Sequence, residues 1–259
     1  MKEYGILEKD VTESSLECAL NQIRRLGFAI VNSGLNESEI QKFQTIFDDV
    51  HDEYNSIYSD LSSIDENNTI RAPLLINEEF LKLSINKNVL QILNNIFGEN
   101  VNLNQQNGII NPARKEYNQA SWHRDLPYQH FTSSKPLGLN ALYCVDDFTK
   151  ENGATAVIPG THLFESMPSD IYTNENKIQL EAKAGNFIIC DAMLYHSGQY
   201  NSTNKSRRGV NHVYTIPIIK KQIDFSENDF AYDLKVKHPI LGLDYKSCGS
   251  VKTYLDRLR

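Results

Sequence analysis

The sequence predicts an α+β protein, with helices gathered in residues 1–100 and a strand-rich jelly-roll core in residues 101–220. Three observations predict it. Apolar residues recur at helical spacing up to Phe97. From Val101 the texture changes to short β-rich segments separated by Gly, Pro and Asn. The helical stripes all precede the strands, which suits helices buttressing one β-core.

The elements follow in order. Residues 14–25 suit a short helix, and "FAIVNS" after Gly27 suits a strand. Asn36 and Glu39 form a capping box, and Ile40, Phe43, Ile46, Phe47 and Val50 then recur at helical spacing. "SSIDENNTIRAP", residues 62–73, reads as a polar, mobile loop. A second apolar helical run extends from Phe80 to Phe97 and stops at Gly98, a good helix terminator. The strand segments are "VNLNQQNGII", "LGLNALYCV", "ATAVIPG", "NFIIC" and "NHVYTIPII". Asn152-Gly153 between two of them is a hairpin signal. Several short strands with turn residues between them suggest a double-sheet jelly roll. Residues 221–259 form a C-terminal extension with no readable pattern, and the whole chain, 1–259, reads as one domain.

Composition narrows the function. The formal charge of −7 argues against nucleic-acid binding, which needs a basic face. The four cysteines, Cys18, Cys144, Cys190 and Cys248, form no CxxC pair, so structural zinc is disfavoured. Cys144 and Cys190 sit in apolar runs and read as buried thiols. The N-terminus lacks the apolar stretch of a signal peptide, and no segment approaches the roughly 20 apolar residues of a membrane helix. These features predict a cytoplasmic protein with no membrane or nucleic-acid partner, and they leave room for a homo-oligomer.

The chemistry centres on "SWHRDLPYQHF". In a strand, His123 and Asp125 project from one face, while Arg124 points the other way as scaffold. His196 in "FIICDAMLYHSGQ" is the best third partner. Two histidines and a carboxylate make the facial triad of non-haem Fe(II) oxygenases, which leaves coordination positions open. HxD alone is a weak signal. Trp122, Pro127 and Tyr128 beside it suit the wall of a dry pocket. His51 falls in the amphipathic helix and faces solvent, and His130, His162, His212 and His238 have no such setting and read as structural. Arg207 and Arg208 lie downstream of His196. A planar guanidinium suits the distal carboxylate of 2-oxoglutarate, although "KSRR" alone also reads as a solvated basic turn.

Three pieces, "SWHRD", "DDFTKENGATAVIPGTH" and "CDAMLYHSGQYNSTNKSRRGVNHVYTIP", resemble the phytanoyl-CoA dioxygenase superfamily of Fe(II)- and 2-oxoglutarate-dependent oxygenases, ectoine hydroxylase among them. The resemblance implies a double-stranded β-helix, with Fe(II) on His123, Asp125 and His196 and with 2-oxoglutarate and O2 as cosubstrates. The family's His-to-Arg spacing selects Arg207 over Arg208. Gln106 and Asn111 lie where family members place polar residues toward cosubstrate or substrate, and Tyr128 falls on the substrate side. Halogenating relatives lack the metal carboxylate. With Asp125 present, hydroxylation of a small polar metabolite with release of succinate and CO2 is expected. A cupin-like isomerase, a zinc hydrolase and a non-catalytic jelly-roll binding module are the alternatives.

Overall fold

The computed structural model describes residues 13–58, 60–116, 118–126, 130–225 and 238–242, together with residues 250, 252 and 255. Helix α1, Ser15–Leu26, opens on a capping box in which the Ser14 hydroxyl accepts from Glu17 N–H and the Glu17 carboxylate accepts from Ser14 N–H. It ends at Gly27, whose φ of 89° is a left-handed cap. Strand β1, Phe28–Asn32, follows, and Asn36 with Glu39 then caps α2, Glu37–Ile57.

Two expectations for the following stretch need correction. Residues 62–73 include strand β2, Thr69–Arg71, because Ile70 is drawn fully into the core. The Phe80–Phe97 run is two helices, α3 (Glu79–Ser84) and α4 (Lys87–Phe97). Asn86 divides them: its carbonyl oxygen accepts from the N–H groups of Asn88 and Val89, and its amide donates to Ser33 O at 2.9 Å. Such a side chain competes with the helix backbone and starts a new helix.

The remaining strands are β3 (Asn102–Asn111), β4 (Gly138–Cys144), β5 (Ala156–Val157), β6 (Ile178–Gln179), β7 (Asn186–Asp191), β8 (His196–Ser197) and β9 (Arg207–Thr215). A short helix, α5, Asp170–Asn176, precedes β6. The large sheet runs β1-β7-β4-β9-β3-β2 and the small one β6-β5-β8, with antiparallel pairing throughout. Because β4 and β5 lie in different sheets, Asn152-Gly153 closes no hairpin. It carries the chain from one sheet to the other. Gly153 has φ +76°, and a Cβ there would lie 2.1 Å from Gln199 O, so only glycine fits.

The two-residue side-chain period gives the large sheet two different faces. Leu139, Ala141 and Tyr143 of β4, Phe187 and Ile189 of β7, and Val210 and Tyr214 of β9 pack in one core with Phe43, Phe47, Phe80 and Leu93 of the helices. Full burial of each such side chain contributes about 1.5–3 kcal/mol. On the other face, Cys144, Ile188 and Cys190 pack with Val157, Leu180 and Leu194 under the small sheet. Cys144 and Cys190 are free and buried, and Cys18 is free and half-buried; Cys248 lies outside the described residues. No helix among the described residues is long and apolar enough to cross a membrane.

Candidate metal centre

The His123–Asp125 segment is extended and laid against the chain leading into β8. His123 N–H donates to His196 O at 3.0 Å, His196 N–H returns the bond at 3.1 Å, and Asp125 N–H donates to Ala192 O at 3.1 Å. The turn out of β7 that makes this possible is local. Asp191 Oδ1 accepts from Met193 N–H at 2.8 Å, and burial lifts that carboxyl to about 6.

Alternation along this segment sends His123 and Asp125 into a cavity between the sheets. Arg124 goes the other way. It lies 4.1 Å over the Tyr195 ring and donates to Thr161 O, Phe164 O and Glu165 O, so it fastens the "IPGTH" turn as scaffold.

Asp125 Oδ1 stands 3.7 Å from His123 Nε2 and 3.6 Å from His196 Nε2. One ligand atom from each of the three residues lies within 4.8 Å of the others. The imidazole tautomers follow from their outer partners. His123 Nδ1 lies 2.7 Å from Ser121 O and His196 Nδ1 3.0 Å from Leu194 O. A carbonyl only accepts, so each Nδ1 carries a proton, and in the neutral ring each Nε2 keeps its lone pair. Burial, with His196 alongside, also holds His123 below the usual imidazole range, and neutral imidazole is the metal-binding form.

Arg207 and Arg208 open β9 and are not part of a solvated turn. Strand alternation gives them opposite surroundings. Arg208 faces the helices, donating to Asp146 and Asp48 and to Gln44 O. Arg207 lines the same cavity as the His–Asp–His cluster and is buried. Its guanidinium lies 4.0 Å over the Phe148 ring and donates from Nη2 to Gly153 O at 2.9 Å. Among the described residues no carboxylate pairs with it, and its Nε has no hydrogen-bond partner. A buried cation left in this condition calls for an anion.

Gln106 is not brought to the cavity. A register shift between Leu103 and Gln105 precedes it, and its side chain faces the helices. There its amide nitrogen donates to Phe80 O and Ser84 Oγ and its oxygen accepts from Leu74 N–H. The same nitrogen lies 3.0 Å from His212 Nε2. His212 is buried and structural, with Nδ1 on Ala141 O at 2.9 Å and its pKa lowered to about 4 by burial. Asn111 pairs with Arg207 across β3 and β9, but its amide is spent on Gly153 O and Gln199 O. Tyr128 and Pro127 lie outside the described residues.

The cavity has residues that the sequence reading passed over: Gln119, Asn140, Thr155 and Asn211. The signal for Asn211 was parity, since it stands four residues beyond Arg207 on the same face of one strand. The cavity volume is about 60 Å³. A single water needs roughly 10–15 Å³, so the space exceeds that of one water.

Two packed antiparallel sheets with two imidazoles and a carboxylate converging between them define a class: a jelly-roll-like protein with a candidate 2-His-1-carboxylate metal site. The chain belongs to the phytanoyl-CoA dioxygenase (PhyH) family, whose profile matches residues 23–209. It is 26% identical over 222 residues to an uncharacterized protein of Mycobacterium tuberculosis, covering 82% of this chain and 80% of that one. It is 33% identical over 101 residues to an Fe(II)/2-oxoglutarate-dependent dioxygenase of Aspergillus novofumigatus, 38% of this chain and 33% of the other. Its fold is similar to that of EctD from S. alaskensis, solved with 2-oxoglutarate and 5-hydroxyectoine. The TM-score is 0.66 at 17% identity, over 92% of this chain and 86% of that one.

Proposed function

We propose that this protein is a non-haem Fe(II)- and 2-oxoglutarate-dependent oxygenase that hydroxylates an unactivated C–H bond of a small polar metabolite. We also read its two sheets as a double-stranded β-helix and the chain as one oxygenase domain. The observation that carries the reading is a pairing of two features in one cavity: the His123, Asp125 and His196 cluster, and the buried guanidinium of Arg207 without a counter-charge.

The donor set fits iron. Two neutral imidazoles and one carboxylate suit Fe(II), whereas Mg(II) prefers oxygen ligands throughout. The surroundings of Arg207 fit the distal carboxylate of 2-oxoglutarate, which would supply the missing negative charge through two parallel hydrogen bonds. When bound, the iron and its cosubstrate supply the oxidising power, with succinate and CO2 as by-products.

The chain's own residues do the rest. Nε2 of His123, Nε2 of His196 and Oδ1 of Asp125 would hold the metal on one side and leave its other positions to ligands. Arg207 fixes the far end of the cosubstrate and thereby its direction. Phe148, Ile188 and Leu142 keep that end dry, which strengthens the ion pair. Asp125 occupies the position that halogenating relatives leave vacant, which favours hydroxylation.

The test is anaerobic reconstitution with Fe(II) and 2-oxoglutarate, then exposure to oxygen with a panel of small polar metabolites. Succinate formation that needs iron, 2-oxoglutarate and oxygen together is the expected result. Absence of iron binding would remove the reading.

A further inference from the structure

We infer that Asn140 and Asn211 are positioning residues that hold Asp125 as a one-oxygen ligand. This inference rests on the metal-site reading above. Both amides converge on the same atom. Asn140 Nδ2 donates to Asp125 Oδ2, and Asn211 Nδ2 donates to it at 3.4 Å. The other oxygen, Oδ1, faces the two imidazoles. The carboxylate is thus divided by function: Oδ1 is available to an ion, and Oδ2 is engaged by two N–H donors.

Three further observations support the assignment. The two asparagines come from adjacent strands of the large sheet, β4 and β9, where Leu142 is the direct partner of Asn211. They are therefore diagonal neighbours on the cavity face, placed by rigid elements and not by a loop. Their orientation is also chemically fixed. A metal-binding carboxylate only accepts, so both amides must turn their NH2 groups toward it. That orientation leaves Asn140 Oδ1 and Asn211 Oδ1 buried and without a hydrogen-bond partner among the described residues. Both side chains thus give their donors to Asp125 at the expense of their own acceptors.

The consequence concerns coordination number. A carboxylate free to chelate through both oxygens would take two positions on the ion. With Oδ2 withdrawn by two donors, the three protein residues supply three donor atoms, and the remaining positions stay available for a chelating cosubstrate and a further ligand.

Asn→Leu replacement nearly preserves side-chain shape and removes both donor and acceptor. The experiment titrates metal-free protein anaerobically with Mn(II), following the fluorescence of Trp122, the single tryptophan, beside His123. Co(II) ligand-field absorption is recorded in parallel, and thermal unfolding of the metal-free protein monitors the fold. The double variant N140L/N211L is expected to raise the Mn(II) Kd about 10- to 100-fold. It should also alter the Co(II) spectrum, with unfolding of the metal-free protein little changed. Metal affinity within about twofold of the wild type, with an unchanged Co(II) spectrum, would overturn the assignment. If the double variant does not fold, the single variants N140L and N211L decide by the same two readouts. Wild-type protein that binds no metal would sink the site reading itself, an outcome distinct from variants that bind as the wild type does.

Discussion

The two faces of β9 carry the same residue types to opposite ends. On the helix side, Arg208 has Asp146 and Asp48, and His212 has Ala141 O and Gln106. On the cavity side, Arg207 has one carbonyl and an aromatic ring, and Asn211 has an orphaned oxygen. The imidazoles of His123 and His196 present bare Nε2 atoms to the same cavity. The contrast teaches how to tell structural polar groups from working ones. On this strand the saturated side chains face the helices and hold the fold, and the unsaturated ones face the cavity, where a ligand would complete them.

The contrast can be broken most forcefully at Asp125. Asp125→Ala removes the one anionic donor from the cavity cluster, so metal binding and succinate formation should fall to background. Unfolding of the metal-free protein, measured alongside, separates this loss from the cost of stranding the Asn140 and Asn211 amides. Metal retention measured by equilibrium dialysis would contradict this.

On the saturated side the effects should appear in stability. Burial lowers the His212 pKa from 6.5 to about 4, so the unfolded chain takes up a proton that the native imidazole refuses. The stabilising contribution is therefore complete above pH 6.5 and is lost as pH falls toward about 4. Over that window the loss is about 3 kcal/mol. His212→Leu should remove this part of the pH dependence when urea unfolding is compared at pH 7 and pH 4. Parallel acid limbs for variant and wild type would contradict the assignment.

A somewhat smaller effect is expected at Gln106. Gln106→Leu strands Leu74 N–H, Phe80 O and His212 Nε2 and should cost about 2 kcal/mol. The affinity of the Fe(II) protein for 2-oxoglutarate should stay the same. A large loss of that affinity with stability intact would return Gln106 to the cavity.

Much of this was legible in the sequence because the signals were local. The capping box at Asn36, the β-rich segments of β3, β4, β7 and β9, and the i, i+2 relation of His123 and Asp125 each need only neighbouring residues. What escaped depends on distant partners. β2 forms because Ile70 pairs with Gly108 and enters the core that also holds Phe47. Gln106 faces the helices because parity is reset by a register shift near Asn104, which no local pattern announces. Asn140 acquires its role only through Asp125 from another part of the chain. Asn86 is different: its cap was readable, but the apolar run around it concealed the break.

The adjacent arginines allow the most direct test. Arg207→Met and Arg208→Met differ by one position and change the same chemical group. For each, 2-oxoglutarate affinity of the anaerobic Fe(II) protein and urea stability of the metal-free protein are measured together. Arg207→Met should weaken 2-oxoglutarate binding about 10- to 100-fold, the loss of a charge-assisted contact of roughly 1.5–3 kcal/mol, with stability unchanged or raised. Arg208→Met should lower stability by about 1–3 kcal/mol and leave the affinity alone. If both variants lose the same property, or if the two results are exchanged, the division of labour between the two faces is wrong.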